Sequence, residues 1–220
     1  GSAFSQEGIK LDVSNIQGYY FEKGYIFAQV RPSTSINPQD PGRVDITYDI
    51  IENEIAYVDR IIVKGNVKTK DKVIRRELRI KPGEAFDGEK LRRSKERLYN
   101  LGYFEEVSYD TQATSVPNKR DLIVNVKETK TGEFSFGAGY SSIDKFVGFI
   151  EVAQKNFDIA NFPTFTGGGQ DLRLRAEFGT IRKDYELSFT EPWIFDHPIS
   201  FGFDVYQKTR NRSGGVGWGF

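Results

Sequence analysis

Few side chains in this sequence could do chemistry. The only histidine is His197, which lies between Asp196 and Pro198, and there is no cysteine. A serine–histidine–aspartate triad would need this histidine, and its aspartate and proline neighbours predict a solvated turn residue instead. Without cysteine there can be no disulfide, no thiolate metal site and no histidine-activated thiol. We therefore expect no enzymatic activity, no catalytic residue, no metal site and no cofactor.

Two other stretches imitate functional sites. Asp171, Arg173, Arg175 and Glu177 share one face of a predicted strand, but mixed charges on a strand face are more typical of a polar barrel interior than of an acid–base pair. Residues 167–169 are three glycines with no Lys-Ser or Lys-Thr after them, so they are not a phosphate-binding loop. With 31 basic and 31 acidic side chains the chain has no net charge, which argues against nucleic-acid binding.

Residues 133–140 form the most informative strand. Side chains alternate along a strand, so one face is apolar and holds Phe134, Phe136, Ala138 and Tyr140. The other face is small and polar and holds Glu133, Ser135, Gly137 and Gly139. In a chain with 18 Phe, 11 Tyr, 22 Gly and no apolar run long enough for a transmembrane helix, this pattern predicts the first strand of a membrane β-barrel.

Further alternating strands follow, without a convincing helix. The second, 146–156, alternates imperfectly because Val147 and Phe149 have one parity and Ile150 and Val152 the other, which indicates a bulge or a local change of burial. The third to fifth strands each have one apolar face, which we predict to face lipid and which carries Leu172, Leu174, Phe178, Leu187, Phe189, Phe201 and Phe203. A sixth strand begins with Val216, Trp218 and Phe220. The pattern alone also fits a soluble antiparallel sheet with one wet face.

The segment before these strands is predicted to be soluble and α+β. Residues 56–126 have the order β-α-α-β-β, with strands at 56–63, 107–111 and 122–126. Thr69 or Asp71 would cap a first helix that runs to about Leu78, and Asp87 would cap a second helix that ends near Gly102. Ahead of this module we predict a helix over 8–23 capped by Gly24, a strand at 25–30, a loop at 32–42 and a strand at 44–50. These elements are too few for an independent core, so we expect the end of a domain here.

A repeat links the two soluble parts. Gly-Tyr at 24–25 matches Gly-Tyr at 102–103, an offset of 78 residues (102 − 24 = 78), and the alternating strand at 44–48 matches the one at 122–126 at the same offset. A glycine after a helix is by itself an ordinary cap. The matched strand makes a duplicated domain the better interpretation, because a period of about 80 residues indicates tandem domains rather than a solenoid.

Several short motifs carry a family resemblance: Lys-Gly-Asn at 64–66, Arg-Arg-Glu-Leu at 75–78, Glu-Arg-Leu-Tyr-Asn-Leu-Gly-Tyr-Phe at 96–104 and Val-Asn-Val-Lys-Glu at 124–128. The module that contains them resembles a POTRA domain, the periplasmic repeat of outer-membrane assembly proteins. Residues 132–140 and Phe-Thr-Glu-Pro-Trp-Ile-Phe-Asp at 189–196 are similar to the first strand and the strand 4–5 turn of the barrel in BamA-type outer-membrane protein assembly factors.

The resemblance implies a domain layout and a location. Residues 1–54 would be the C-terminal part of a POTRA domain, 55–129 a complete POTRA domain, and 130–220 about six first strands of an incomplete transmembrane β-barrel. The barrel would lie in the outer membrane with the POTRA part in the periplasm, and the turns 157–169 and 191–198 would be periplasmic. The outer loops would then be the shorter ones, against the usual barrel rule. The first strand would lack the strand that closes the barrel.

The resemblance also implies a function, the assembly and insertion of β-barrel proteins without nucleotide hydrolysis. Client strands would pair with the first barrel strand at a lateral gate, formed here by Glu133, Phe134, Ser135, Phe136, Gly137, Ala138, Gly139 and Tyr140. The two glycines either loosen this seam or only relieve crowding where the barrel bends. Extended client segments would add to a POTRA sheet edge at Val107, Ser108, Tyr109, Asp110 and Thr111.

The partners implied are unfolded outer-membrane β-barrel proteins, the lipid bilayer and the lipoproteins of an assembly complex. The lipoproteins of the family touch the last POTRA domain near the loop 81–85, but the acidic contact of the family falls about where Pro82 stands, so that residue is not carried over. We expect the isolated chain to self-associate through open strand edges. Two alternatives stay open at this point: a two-partner secretion transporter of the same superfamily, and a soluble periplasmic interaction module.

Overall fold

The computed structural model describes residues 4–142 and 145–210. Its elements run in the order α1 (Gln6–Glu22), β1 (Gln29–Ile36), β2 (Val44–Ile51), β3 (Tyr57–Lys64), α2 (Asp71–Arg75), α3 (Gly88–Asn100), β4 (Phe104–Ala113), β5 (Lys119–Glu128), β6 (Gly132–Ser141), β7 (Lys145–Phe157), β8 (Gln170–Gly179), β9 (Arg182–Glu191) and β10 (Phe201–Arg210). Among the described residues, no helix is both long enough and apolar enough to cross a membrane.

The chain divides into two compact units. The first takes in the described residues of Gly1–Gly65, Glu77–Leu101 and Glu106–Lys127, and the second those of Asn66–Arg76, Gly102–Glu105 and Glu128–Phe220. The short helix α2 therefore belongs to the second unit although it follows β3 in the chain.

The first unit is built around β5. The strand order is β3-β5-β4, with β3 parallel to β5, and β1 and β2 form a separate antiparallel pair. Three consecutive side chains of β5, Leu122, Ile123 and Val124, are buried. Because neighbouring strand residues point to opposite faces, both faces of this central strand are covered. Other buried apolar side chains of this unit are Ala56, Val58, Ile61, Leu78, Ile80, Phe86, Leu91, Leu98, Val107 and Val126.

The helices α1 and α3 show how far capping and amphipathicity can be predicted. The Asp87 carboxylate accepts the N–H of Lys90 at 2.9 Å, so the predicted helix start is confirmed. Helix α3 buries Leu91, Ser94 and Leu98 on one face. Helix α1 buries no residue, although Ile9, Val13, Ile16 and Tyr20 have helical spacing.

One predicted strand is wrong. We expected a strand at 25–30 and a loop at 32–42, but β1 starts at Gln29 and continues through Pro32 to Ile36. Residues 25–28 form a turn instead, with the N–H of Ala28 bonded to the Tyr25 carbonyl. Proline breaks the interior of a sheet because it cannot donate a hydrogen bond. Among the described strands, β1 pairs with β2 alone, so Pro32 is tolerated on an edge strand.

The predicted 78-residue repeat extends over helix, glycine and two strands. Helices α1 and α3 end at Glu22 and Asn100, and each is followed by a glycine with positive φ, Gly24 at 92° and Gly102 at 71°. The strand pair β1 and β2 follows the first glycine as β4 and β5 follow the second.

The second unit contains an open antiparallel sheet in the order β10-β9-β8-β7-β6. The first four predicted strands are present within a few residues of their expected ends, and the fifth starts at Phe201 rather than Ile199. The predicted β-α-α-β-β module is also present. The predicted sixth strand, at Val216, Trp218 and Phe220, lies outside the described residues.

Two glycines allow a matched test of the packing around β5. Gly65 and Gly83 have nearly the same φ, 88° and 89°. A Cβ at Gly65 would run into the carbonyl oxygen of Val126, whereas nothing lies within 4 Å of one at Gly83. Both alanine variants pay the strain of positive φ, roughly 1 kcal/mol. We expect Gly65→Ala to lower the free energy of opening of the β5 amides by about 2 kcal/mol more.

Hydrogen exchange of the β5 amides in the detergent-solubilised chain measures this difference. Gly83→Ala is the control for backbone strain. Equal loss of protection in the two variants would show that the close approach to Val126 does not matter.

Candidate functional site

The strand β6 lies at one edge of the open sheet. It pairs with β7 in an unbroken antiparallel register from Gly132 opposite Gln154 to Ser141 opposite Lys145. Within the described residues, no strand pairs with its other edge. The backbone groups along that edge are therefore available for hydrogen bonds to an added strand.

The two faces of β6 differ as the sequence predicts. Phe134, Phe136 and Tyr140 are 65, 76 and 64 % exposed. The rings of Phe134 and Phe136 are 6.0 Å apart, and the Tyr140 ring meets Phe146 of β7 edge to face at 5.1 Å. Such a row of large exposed rings is costly in water and is typical of a surface that another apolar phase covers.

The same apolar face continues over the neighbouring strands. Leu174, Phe178, Phe201 and Phe203 are exposed, and Leu172, Leu187 and Phe189 are half-buried between their neighbours. A shallow depression of about 540 Å³ lies here and is lined chiefly by apolar side chains such as Val152, Leu174, Leu187 and Val205. Lipid contact stays a prediction for these residues, and their placement on one continuous face fits it.

The opposite face of the sheet carries a chain of ion pairs. Arg175 lies 3.1 Å from Glu151 and 3.5 Å from Glu177, and Arg182 lies 3.7 Å from Glu177 and 2.5 Å from Asp184. The side chains of opposite sign neutralise one another along the strands. This arrangement is the polar face expected for a barrel interior rather than an acid–base site.

His197 is exposed in the turn between β9 and β10. Its N–H donates to the Ile194 carbonyl at 2.9 Å, as in an ordinary turn. In the described part of the chain, no group of three or more His, Asp or Glu side chains is arranged to hold a metal ion.

The predicted POTRA edge lies in β4, an outer strand of the three-stranded sheet. Val107 is buried, and burial raises the pKa of the Tyr109 phenol. Asp110 accepts a hydrogen bond from the Asn125 amide at 2.7 Å. The backbone of β4 is thus at an edge, while half of its side chains serve the core and the neighbouring strand. Binding of client segments at 107–111 stays a prediction.

The loop at 81–85 is tied to β3 by its backbone, since the Gly83 N–H donates to the Val58 carbonyl at 2.7 Å and the Val58 N–H donates to the Glu84 carbonyl at 2.9 Å. Glu84 lies 2.9 Å from Lys90 Nζ and also accepts from the N–H of Lys81. The hydrogen bond from Lys90 lowers the pKa of Glu84. The loop that would contact lipoproteins in the family is therefore a fixed surface rather than a free strand.

Sequence reasoning missed a polar cluster within the second unit, three of whose members are buried. It consists of Thr69, Lys70, Glu128, Asn156 and Asp158, which we call the junction cluster. Thr69, Asn156 and Asp158 are 3, 3 and 4 % exposed. The Asn156 amide donates to the Thr69 hydroxyl at 2.9 Å, and Lys70 Nζ lies 2.5 Å from Asp158 Oδ2. Each buried polar side chain therefore has a partner, as burial requires.

Glu128 closes one end of the junction cluster. Its carboxylate accepts the N–H groups of Lys68 and Thr69 at 3.0 and 2.6 Å. Burial raises the pKa of Glu128, but the hydrogen bonds from Thr69 and Lys68 outweigh burial and leave the pKa below the ordinary glutamate value. The N–H groups of Lys68 and Thr69 therefore bind the ionised form of the Glu128 carboxylate.

The three glycines at 167–169 complete the other end. Gly167 and Gly169 have φ of 106° and 80°. The N–H of Lys70 donates to the Gly167 carbonyl at 3.0 Å, and a Cβ at Gly167 would run into the Lys68 carbonyl. The Gly169 N–H donates to Asn156 Oδ1 at 2.9 Å. These glycines therefore serve a close backbone approach, which a glycine run between two strands could have suggested.

Helix α2 makes further contacts within this unit. The Arg76 guanidinium lies over the Trp193 ring, 5.4 Å from its centroid, and Lys72 lies 3.7 Å from Asp196. Both partners belong to the segment between β9 and β10. The β7–β8 and β9–β10 connections therefore both bind the segment 66–76.

Comparison with known proteins adds two family matches. The model of the POTRA family, described as the surface antigen variable number repeat, matches residues 1–53 and 56–129. The model of the Omp85 superfamily domain matches residues 164–216. The predicted resemblance and the predicted fold class, POTRA modules followed by antiparallel strands of an incomplete barrel, are confirmed.

Individual relatives agree with these matches. The chain is 35 % identical over 203 residues to the outer membrane protein assembly factor BamA of Nitratidesulfovibrio vulgaris, covering 92 % of this chain and 24 % of that protein. It is 32 % identical to BamA of Neisseria meningitidis, covering 94 % of this chain and 25 % of that protein. The chain thus spans about a quarter of the length of these relatives.

A solved structure matches as well. The crystal structure of BamA from Haemophilus ducreyi lacking POTRA domains 1–3 superposes with a TM-score of 0.81 at 26 % identity. The match covers 97 % of this chain and 38 % of that one.

The lowered pKa of Glu128 predicts a pH dependence. A carboxylate whose pKa falls on folding stabilises the folded state above its ordinary pKa, roughly 4.3, and this stabilisation is lost as the pH falls through the folded value. We therefore expect the protection of the Lys68 and Thr69 amides to fall between about pH 6 and about pH 3. In Glu128→Gln the amide oxygen still accepts hydrogen bonds but does not titrate, so this pH dependence should vanish.

Hydrogen exchange corrected for intrinsic rates measures these protection factors, and Glu106→Gln, on an exposed site of β4, is the control. The same pH profile in the parent and in Glu128→Gln would contradict the role given to this carboxylate.

Proposed function

Because the chain belongs to the POTRA repeat family, we propose that it takes part in the assembly and insertion of β-barrel proteins into the outer membrane, with β6 as the strand that receives client strands. One observation carries the proposal. β7 occupies one edge of β6, and no strand in residues 4–142 and 145–210 pairs with the other. An extended client segment can satisfy the free N–H and C=O groups of that edge by β-augmentation.

The chain lies in the outer membrane with its POTRA part in the periplasm. We assign 1–54 to the end of one POTRA domain, 55–129 to a complete one and 130–220 to the first barrel strands. On this layout the exposed rings of β6 and the apolar face of β8–β10 contact the lipid bilayer. The ion-paired face lines the interior.

The other edge of the sheet is a weaker candidate for client pairing. It is formed by β10, and the alternation of Val216, Trp218 and Phe220 after it predicts a further strand that would pair there. Nothing comparable precedes β6, because β5 belongs to a different sheet. The free edge of β6 is therefore the one at which an added strand meets no competitor from the neighbouring sequence.

Two further binding surfaces belong to the proposal. Unfolded barrel proteins would use β4 as a second edge at 107–111, where the backbone lies on the outside of a small sheet. Lipoproteins of an assembly complex would bind the POTRA surface near 81–85. No catalytic residue or nucleotide enters this function, because strand exchange draws its free energy from hydrogen bonds and burial formed in the client.

Disulfide trapping tests the pairing directly. The chain has no native cysteine, so Ser135→Cys introduces a single thiol on β6. We expect it to cross-link to a cysteine in the C-terminal strand of a β-barrel client, because paired strands bring Cβ atoms within about 4.5–5.5 Å. Moving the client cysteine by one residue from its best position should lower the yield several-fold, because a one-residue shift turns it to the other face of the sheet.

Ser188→Cys is the matched control. Like Ser135, Ser188 lies on the polar face of the sheet. It is in β9, where Arg173 of β8 lies opposite it on one side and Asp204 of β10 on the other. No free edge is available there, so cross-linking should stay at background. Background yield at Ser135→Cys in every register would exclude client pairing at β6.

Two open edges and a large apolar face predict self-association of the chain. We expect light scattering in mild detergent to give at least a dimer, formed by edge pairing of β6 or β10. A monomer at micromolar concentration would contradict this. A second measurement, without detergent, addresses the soluble alternative: a monomeric, folded 131–220 segment in buffer alone would remove the membrane assignment.

A further inference from the structure

Phe149 breaks the alternation of β7, and the structure excludes a bulge as the reason. The register of β7 with β6 and with β8 is regular from Val147 to Gln154, and the irregularity lies later, between Gln154 and Phe157. Phe149 therefore points to the polar face by normal pleating, on the same side as Glu151. A large ring on this face needs another explanation.

The ring lies on a glycine of β6. Phe149 is directly opposite Gly137. A Cβ built at Gly137 would be 2.6 Å from Cε1 and 3.1 Å from Cζ of Phe149, closer than real atoms approach. The next glycine on the same face, Gly139, has nothing within 4 Å of such a Cβ. The two glycines of β6 are therefore not equivalent: one is covered by the ring and the other is open.

A cation contacts the same ring. The Arg175 guanidinium lies 4.4 Å from the centroid of Phe149, a cation–π distance. Arg175 is itself fixed by Glu151 at 3.1 Å and Glu177 at 3.5 Å. The aromatic ring thus contacts the backbone of Gly137 on β6 and, from β8, an arginine that two carboxylates orient.

We propose that Phe149, which contacts Gly137 and Arg175, is a positioning residue that fixes the register of β6 on β7. This register sets the position, along the strand direction, at which the free edge of β6 meets a client strand. The consequence for clients rests on the proposed function. An aromatic ring over a glycine restores cross-strand packing that the glycine lacks. A strand rich in glycine is otherwise weakly held in register.

The competing register can be named. A one-residue slip would turn Phe134 and Phe136 to the wrong face, so only even slips are tolerated. A slip of two residues would bring the open Gly139 under Phe149 and place Ser135 opposite Ala153 instead of Glu151. The opposite slip would place the Ser135 side chain under the ring, where its Cβ would clash. The structure therefore predicts one alternative register.

Intrachain disulfides measure this register without touching the Phe149 contacts. The pair Glu133→Cys and Ala153→Cys is directly opposite in the observed register, and the pair Ser135→Cys and Ala153→Cys is opposite after the two-residue slip. In the full detergent-solubilised chain we expect the first pair to dominate. Phe149→Leu should raise the slipped-to-native ratio about three- to tenfold, because the ring contact and the cation–π contact are both lost. Phe149→Tyr should restore the parent ratio.

The glycines supply the matched controls. Gly137→Ala should raise the ratio as Phe149→Leu does, because the added methyl displaces the ring from its seat. Gly139→Ala changes the same residue type on the same face of the same strand and should leave the ratio unchanged or lower it. Equal ratios in the two alanine variants would overturn the proposal, even where Phe149→Leu does not fold.

Cross-linking to a client strand distinguishes this inference from the proposed function on which it rests. In the Gly137→Ala background, the yield of Ser135→Cys with a client cysteine two residues from the best register should rise, relative to the yield at the best register, by about the same factor as the intrachain ratio. If the intrachain register shifts and the client register does not, Phe149 does not position clients. If the parent gives no client cross-link at all, the pairing function fails, while the intrachain ratios still decide the role of Phe149 in the β6–β7 register.

Discussion

Backbone hydrogen bonding is the constraint on which this structure depends. Every N–H and C=O of a strand needs a partner, and one neighbour satisfies only half of them. β6 has β7 on one side, and the described chain offers nothing to the other. Within a bilayer no water can replace the missing partner. A strand with this edge and an outward row of exposed rings is therefore incomplete until another strand joins it.

The second recurring constraint is the close approach of another group to the backbone, which glycine allows at several positions, among them the following three. Gly65 admits the Val126 carbonyl, Gly167 admits the Lys68 carbonyl, and Gly137 admits the Phe149 ring. At Gly167 the close approach brings buried polar groups together. Asn156 resolves this by using both ends of its amide, donating to Thr69 and accepting from Gly169. Removing either partner would leave a buried group unsatisfied, which costs about 1–3 kcal/mol.

Local periodicity predicts the parts of this fold that local forces determine. The alternation at 133–140 and 172–178 and the cap at Asp87 are placed within a few residues, because side-chain facing and capping need only near neighbours. The strand at 25–30 is misplaced because its apolar residues form a turn. The junction cluster joins residues 87 apart through common polar side chains, a pairing that no local pattern encodes.

The most useful failure of the pattern is Phe149. An aromatic ring on the polar face cannot come from burial of that face as a whole, since charged side chains surround it. The stabilisation of this ring has to come from specific contacts. Gly137 and Arg175 supply them, at roughly 0.2–1 kcal/mol for a cross-strand pair and roughly 0.5–1 kcal/mol for the cation–π contact. Because about 1.4 kcal/mol changes an equilibrium tenfold, contacts of this size suffice to choose between two registers that otherwise bury the same apolar face. Along the described chain, β6 has no second neighbour that could make this choice. The paired side of β6 has to supply the register by itself, and Phe149 lies on that side.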